Sequence, residues 1–491
     1  MAVGIVHLVG AGPGDPKLIT VRGLEALKKA DVVIHDRLAN PKLLEHAKER
    51  AQFIYCGKEA SNHALSQDEI NAAILKHALE GKRVVRLKGG DPYVFGRGGE
   101  EAEACVEAGV PFEIIPGITS GIAAPAYAGI PVTHRNFSSS FAVVTGHACE
   151  GNEGIHVDWA RISTAVETIV FYMGVRNLPL ITKKLLENGR DKNTPVALVR
   201  WGTCAVQQTL VGTLDTIVEK VREAKFTSPA IIIVGETVRL HEKLSWYENK
   251  PLFGKRVAVL HRGQQAAVEQ IEELAGQPVE ILLVDTVPAS EDTLDTVINQ
   301  LETSDRMVFS SEEGVGAFFR RIREMGEDIR SFRGGFYAVG RDASEALLNK
   351  GLFVETITDN RLNGIWAGEK IIVESEEQGK GSLVHHIREQ GAEVIGWTAS
   401  KKVLSEKGFA ILENMIEEQA LDYIAFTCPA DVHAFVSLPL FKDQGRNLER
   451  LKTLCFDEET AALLHQKGVD VDYIVKDGTA VLYSSRLSVI A

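Results

Sequence analysis

No apolar run in this chain of 491 residues approaches the ~20 consecutive residues that span a bilayer, which excludes an integral membrane helix. Ile5–Gly10 is too short for a secretory signal and has no basic residues ahead of it, so it reads as a buried strand and the expected compartment is the cytoplasm. Cysteines are few and scattered: Cys56, Cys105, Cys149, Cys204, Cys428 and Cys455 include no Cys-x-x-Cys pair. That spacing excludes a clustered zinc site and a secreted disulfide framework, and no metal is expected. Basic residues are not in excess either. With 54 Lys and Arg against 67 Asp and Glu, the net charge of −13 argues against a nucleic-acid partner.

What is present is a globular composition, 45% hydrophobic and 25% charged, in a length that calls for two to four domains. The charge is divided unevenly. Residues 1–248 hold 28 basic and 28 acidic residues, whereas 249–491 hold 26 and 39, so the second part carries the whole −13. Short apolar runs alternate with amphipathic stretches in both parts, which predicts α/β architecture with mainly parallel sheets. Predicted strands are Ile5–Val9, Val32–His35, Val84–Leu87, Phe112–Ile115 and Phe141–Thr145, then Thr168–Tyr172, Pro195–Val199 and Ala230–Val234. Helices are predicted over Leu18–Lys29, Gln67–Glu80, Pro179–Asn188 and Thr213–Lys225, and Ala148–Asp158 is a candidate separator of two lobes. The clearest boundary falls at 241–255. Beyond it the plan of Met307–Ser310 with Gly314–Met325 is echoed by Tyr423–Thr427 with Ala430–Phe435, which predicts two similar α/β lobes.

Three loops carry the chemistry. Gly10-Ala11-Gly12-Pro13-Gly14-Asp15-Pro16 follows the first strand, and its glycines permit a tight turn and close approach of backbone to a ligand. A dinucleotide loop, Gly-x-Gly-x-x-Gly, would need glycine where Asp15 stands, and Pro13 and Pro16 remove two amide donors. Asp36 imitates the ribose-binding acid of a dehydrogenase, so an NAD-dependent oxidoreductase stays open as an alternative. The other loops are Lys88-Gly89-Gly90-Asp91-Pro92, running on to Val94 and Arg97, and Pro116-Gly117-Ile118-Thr119-Ser120. Three such loops at the carboxyl ends of parallel strands converge on one crevice.

These strings, with His35-Asp36-Arg37-Leu38 and Thr133-His134-Arg135, resemble the uroporphyrinogen-III C-methyltransferases of the tetrapyrrole methylase family, from about residue 4 to residue 245. The resemblance implies a two-lobed methylase domain over 1–245, a homodimer, and S-adenosylmethionine (SAM) bound in the cleft between the lobes. It assigns Pro13, Gly89, Gly90, Asp91, Val94, Thr119, Ser120, Met173, Gly202 and Ala230 to SAM. It gives Asp36 and Lys58 acid–base roles, which suits a reaction in which an electron-rich pyrrole carbon takes a methyl and the macrocycle then loses a proton. The small-molecule tetrapyrrole carries eight carboxylates, so cations on the surrounding loops, Arg37, Arg97, His134 and Arg135, are candidate substrate ligands; some of them could instead pair with Glu100, Glu101 or Glu103. The sequence departs from the family at His35, where tyrosine is common, and at Glu59.

Residues 251–491 resemble uroporphyrinogen-III synthase, which implies two flavodoxin-like lobes, about 251–283 plus 397–491 and 284–396, and cyclisation of hydroxymethylbilane. The carriers are Pro251–Val257 and Met307-Val308-Phe309-Ser310-Ser311 followed by Gly314. Here the departures are larger: Arg341 where proline is usual, Thr427-Cys428-Pro429 for Thr-Ser-Ser, Asp457-Glu458-Glu459 without glycine, Glu374 where arginine is common, and no tyrosine in Thr358–Ile365. A retained non-catalytic module is therefore the alternative.

Overall fold

The computed structural model describes residues 3–57, 65–146, 157–260, 264–288, 291–357, 366–374, 383–438, 450–476 and 479–482. Lys58, Glu59, Cys149, most of Ala148–Asp158 and all of Thr358–Ile365 lie outside the described residues.

The first sheet holds β1 (Ile5–Gly10), β2 (Val32–His35), β3 (Gln52–Tyr55), β4 (Arg83–Lys88) and β5 (Phe112–Ile115) in the order β3-β2-β4-β1-β5. Every pairing is parallel, so all five strands point their carboxyl ends the same way. Both faces are covered. Val6, Leu8, Val32, Ile34 and Val84 pack on one side under Ile70, Ile74 and Cys105, while Val9, Val33, Val85 and Leu87 pack on the other against Leu27 and Leu43. The helix Gln67–Leu79 begins with a capping box, in which Ser66 Oγ accepts from Glu69 N–H and Glu69 accepts in return from Ser66 N–H.

The second sheet holds β6 (Phe141–Thr145), β7 (Thr168–Tyr172), β8 (Pro195–Arg200), β9 (Gln208–Thr213) and β10 (Ala230–Val234), ordered β6-β7-β10-β8-β9. Only β6 and β7 pair in parallel; β10 runs antiparallel to both its neighbours and β9 antiparallel to β8. The expectation of mainly parallel sheets fails here, because the apolar runs of β7, β8 and β10 are buried on both faces and give no alternation from which direction could be read. β3 and β9 also escape the sequence pattern: both lie at sheet edges, and β3 begins with two exposed residues. The helix expected from Thr213 starts at Ile217, since Thr213 still belongs to β9.

The C-terminal half forms two more sheets. One contains β11 (Arg256–Val259), β12 (Gln277–Glu280), β20 (Tyr423–Phe426), β21 (Lys452–Cys455), β22 (Tyr473–Lys476) and β23 (Thr479–Leu482). The other contains β14 (Arg306–Phe309), β15 (Gly335–Val339), β16 (Glu355–Ile357), β17 (Lys370–Glu374) and β18 (Glu393–Trp397), all parallel. Where the chain passes between them, β13 (Val284–Pro288) and β19 (Ser400–Leu404) pair as an antiparallel ribbon. The internal echo is a shared local plan: β14 and β20 are each followed by a helix, Glu312–Met325 and Pro429–Ser437, and each pairs in parallel with the next strand of its own sheet.

Candidate functional site

The three glycine-bearing loops are stitched together, two by backbone and the third through the Asp91 side chain. Gly12 N–H donates to Gly90 O at 3.2 Å and Gly90 N–H returns a bond to Gly12 O at 2.7 Å, joining the loops after β1 and β4. A side chain at Gly10 would stand 2.5 Å from Gly117 Cα and 2.7 Å from Gly90 O, which explains the glycine: three backbones meet there. Asp91 ties the second loop to the third, its Oδ2 accepting from Gly117 N–H at 3.0 Å and its Oδ1 from Tyr93 N–H at 2.8 Å.

The second lobe closes over these loops. Tyr172, at the end of β7 and 8% exposed, brings its hydroxyl to 2.5 Å from Thr119 Oγ1 and accepts from Gly121 N–H. Asp15 N–H donates to Thr203 Oγ1 at 2.9 Å. The helix Ser120–Tyr127 leaves the third loop and packs through Ala124 against Val170, Val199 and Ile231 of the second sheet. Between the lobes lies a cavity of about 550 Å³. Its walls include Pro13, Gly89, Gly90, Val94, Ser120, Met173, Gly202 and Ala230, together with Arg37. Three of the eight non-glycine residues with left-handed backbone among the described residues, Phe95, Met173 and Trp201, line this one cavity. Such strain gathers at ligand clamps.

The remaining candidates are placed differently. Asp91 and Thr119 brace the wall through the bonds above. Asp36, at the carboxyl end of β2, points Oδ1 at Leu38 N–H (2.9 Å) and Oδ2 at the Arg86 guanidinium (3.4 Å), with 27% of its side chain exposed. Arg37 lies over the Trp201 ring, 5.9 Å from its centroid, and so reaches from the first lobe to the second. Arg97 pairs with Glu100 through two bonds of 2.8 and 2.7 Å. His134 sits in a tight turn, bridged to Ser138 and against Phe137, with Arg135 exposed beside it; neither lines the cavity. Lys58 lies outside the described residues.

Sequence reasoning missed four participants. Tyr172, Trp201 and Arg176 all line the cavity and carried no assignment from the sequence. The fourth is a buried ionic group beneath the cavity: Arg86 and Lys88 of β4 both reach Glu101 Oε1, at 3.1 and 2.7 Å. Its signal was legible in principle, since Arg86 and Lys88 alternate in a strand and must share one face. Burial holds the Lys88 ammonium below the ordinary lysine range, and the Arg86 charge beside it acts in the same direction.

In the C-terminal half, the turn after β14 is filled from within. Glu374, fully buried at the end of β17, accepts from Ser310 N–H (2.8 Å), Ser310 Oγ (3.0 Å), Ser311 N–H (3.1 Å) and Ser311 Oγ (3.0 Å). Burial pushes its carboxyl above the ordinary glutamate range despite these four donors. No group of side chains able to hold a metal ion occurs among the described residues.

Comparison with known proteins agrees with this division. Residues 6–218 match the family model for tetrapyrrole (corrin/porphyrin) methylases, and residues 265–480 match that for uroporphyrinogen-III synthase HemD. A uroporphyrinogen-III C-methyltransferase of Bacillus subtilis is 42% identical over 382 residues, 77% of this chain and 78% of that protein. The porphyrin biosynthesis protein HemD of Ruminiclostridium josui is 35% identical over 98% of this chain and 97% of its own length. The crystal structure of a Thermus thermophilus uroporphyrin-III C-methyltransferase complexed with S-adenosyl homocysteine aligns with 48% of this chain and 100% of that chain, at 39% identity and a TM-score of 0.42. The chain belongs to the tetrapyrrole methylases, among the SAM-dependent uroporphyrinogen-III C-methyltransferases, and joins to that domain a uroporphyrinogen-III synthase-type half.

Proposed function

We propose that the chain transfers two methyl groups from SAM to uroporphyrinogen III, giving precorrin-2, the intermediate shared by the siroheme and cobalamin routes. The observation that carries this reading is the cavity of about 550 Å³ walled by three interlocked strand-end loops. Its size suits a drug-sized ligand, for which pockets run ~300–1,000 Å³. The fit extends to the backbone: a side chain built on Gly90 would meet no atom nearer than 3.8 Å, so this glycine, with φ +70°, opens onto free space that a ligand can enter.

Bound SAM supplies an electrophilic methyl group. In this reading Pro13, Gly89, Gly90, Val94, Ser120, Met173, Gly202 and Ala230 contact it, and Asp91 and Thr119 hold their loops in place around it. Asp36 accepts the proton that the methylated ring releases, and Lys58 donates in the complementary step. Arg37, Arg97, His134 and Arg135 receive the substrate's carboxylates, with Arg176 added by its position on the cavity wall. The methylase domain spans 1–245 and the synthase-type domain 251–491, and the protein works in the cytoplasm as a homodimer, which sedimentation equilibrium checks. Asp91→Ala is expected to abolish SAM binding in calorimetry; wild-type affinity in that variant would reject the site. A fluorescence titration with NADH that saturates would favour the oxidoreductase alternative.

A second reading concerns the C-terminal half. Its family match makes cyclisation of hydroxymethylbilane the first expectation, whereas the filled turn at Ser310–Ser311 favours a non-catalytic module, since the donors that could receive a substrate carboxylate already serve Glu374. Giving the protein hydroxymethylbilane without SAM separates the two. Type III product above the spontaneous type I background means a working synthase, and type I alone means a scaffold.

A further inference from the structure

The ionic group beneath the cavity is costly and asymmetric. Arg86 and Lys88 are 4% exposed and Glu101 is 1% exposed, inside a face otherwise lined by Val6, Leu8, Ile34 and Ala102. Buried ion clusters seldom add stability over well-packed apolar side chains of similar volume, so stability alone does not account for this one. Glu101 also uses its oxygens unequally. Oε1 accepts from Arg86 Nε (3.1 Å), Lys88 Nζ (2.7 Å) and Gln67 Nε2 (3.3 Å), while the buried Oε2 has no hydrogen-bond partner among the described residues. The carboxylate serves the two strand-end cations, with the Gln67 amide as its one neutral donor among the described residues.

The Arg86 guanidinium is thereby fixed on all sides. Nε is held by Glu101, Nη1 donates to Leu87 O (3.0 Å) and Ile34 O (3.4 Å), and Nη2 is left for Asp36 Oδ2 (3.4 Å). A planar fork with each nitrogen engaged leaves its last donor one direction to point. The two cations and the two carboxylates, Glu101 and Asp36, balance in charge. Without Glu101, Asp36 would face two buried cations alone and the guanidinium could turn away from it.

We propose that Glu101 is a positioning residue for methyl transfer: through the Arg86 guanidinium it fixes the Asp36 carboxylate at the end of β2, next to Arg37 and Leu38 of the cavity wall. The proposal rests on the acid–base reading of Asp36. The test uses the full chain and compares Glu101→Gln with the double variant Lys88→Met/Glu101→Gln, in which a cation leaves together with the carboxylate and the group is again balanced. The single variant is expected to unfold at lower temperature and the double variant to recover. In both, kcat is expected to fall about 100-fold, the scale of a misplaced catalytic group, while the calorimetric SAM affinity stays at the wild-type value. A double variant with wild-type kcat would show that Glu101 only balances charge and would overturn the proposal. So would a loss of SAM affinity that parallels the loss of kcat, because Glu101 would then support the cofactor loops instead. Asp36→Asn separates the two ideas. If it keeps full turnover, the acid–base reading fails and the role of Glu101 with it; if it is inactive beside a fully active double variant, only the positioning role fails.

Discussion

The two halves of this molecule use the same joint, a parallel strand that turns into a helix, and leave it in opposite states. After β1, β4 and β5 the turns are rich in glycine, they bond to one another through backbone and through the Asp91 carboxylate, and they leave a cavity beside them. After β14, β20 and β21 each turn is closed by the chain's own carboxylate. Glu374 takes the Ser310 and Ser311 donors, Asp431 accepts from Thr427 N–H (2.8 Å) and Oγ1 (2.6 Å), and Asp457 accepts from Thr460 N–H (2.6 Å) and Oγ1 (2.7 Å). Amide donors at such a turn can serve a ligand or the fold: Asp91 takes two of them in the open half and still leaves a cavity, whereas the acids of the closed half take the donors of the turns they close.

The sharpest test of the open half is Asp36→Asn, which keeps the size of the side chain and removes its basicity. Turnover is expected to fall by about 10²–10⁴ with SAM affinity intact. Retained turnover in steady-state assays would break the assignment of chemistry to this cleft. Next comes Gly117→Ala, whose methyl would stand 2.2 Å from Gly90 O and 2.7 Å from Gly10 Cα. Overpacking of this kind costs about 1–3 kcal/mol. SAM affinity should drop as the loops part, and unchanged affinity would mean that the interlock is not what shapes the cavity.

The closed half is tested by pH. Burial raises the Glu374 carboxyl in the folded state, so the folded protein holds that proton more tightly than the unfolded chain does. Its contribution to stability is therefore present below the unfolded glutamate value of about 4.3 and is lost as pH rises through the folded value. The melting temperature of the wild type minus that of Glu374→Gln should accordingly decline as pH rises from the unfolded value toward neutrality. A difference that stays flat in calorimetry would mean that the four donors offset burial completely. The smallest effect is expected where the halves touch, at the Lys42–Glu272 ion pair. Lys42→Ala should change stability by less than about 1 kcal/mol because its partners are partly exposed. A larger shift, or altered SAM affinity, would mean that the C-terminal half buttresses the loop at Asn40, whose side chain donates to Gly14 O at 2.7 Å.

Much of the fold was legible in the residues. Ile5–Val9 and Ala230–Val234 could be recognised as strands because they are short, apolar and bounded by turn residues, and the stretch Gln67–Glu80 could be recognised as a helix, which the structure places at Gln67–Leu79. Strand direction in the second sheet was not legible, since hydrogen-bond partners are chosen by tertiary packing and a run buried on both faces looks the same either way. Within the site, glycine placement identified the three loops. The bracing role of Asp91 and the reach of Arg37 to Trp201 depend on distances that no spacing encodes, whereas the pairing of Arg97 with Glu100, three residues on, was among the alternatives the residues offered.

By itself the sequence determined the α/β class, the three loops that make the cleft, and the unequal charge of the two halves. These follow from local preferences and composition, which act whatever the chain's final shape. Only the tertiary structure decided which donors face a cavity and which face a carboxylate from another element. Glu374 lies 64 residues from Ser310 and Glu101 lies 15 from Arg86, and the fold alone brings each pair within hydrogen-bond distance.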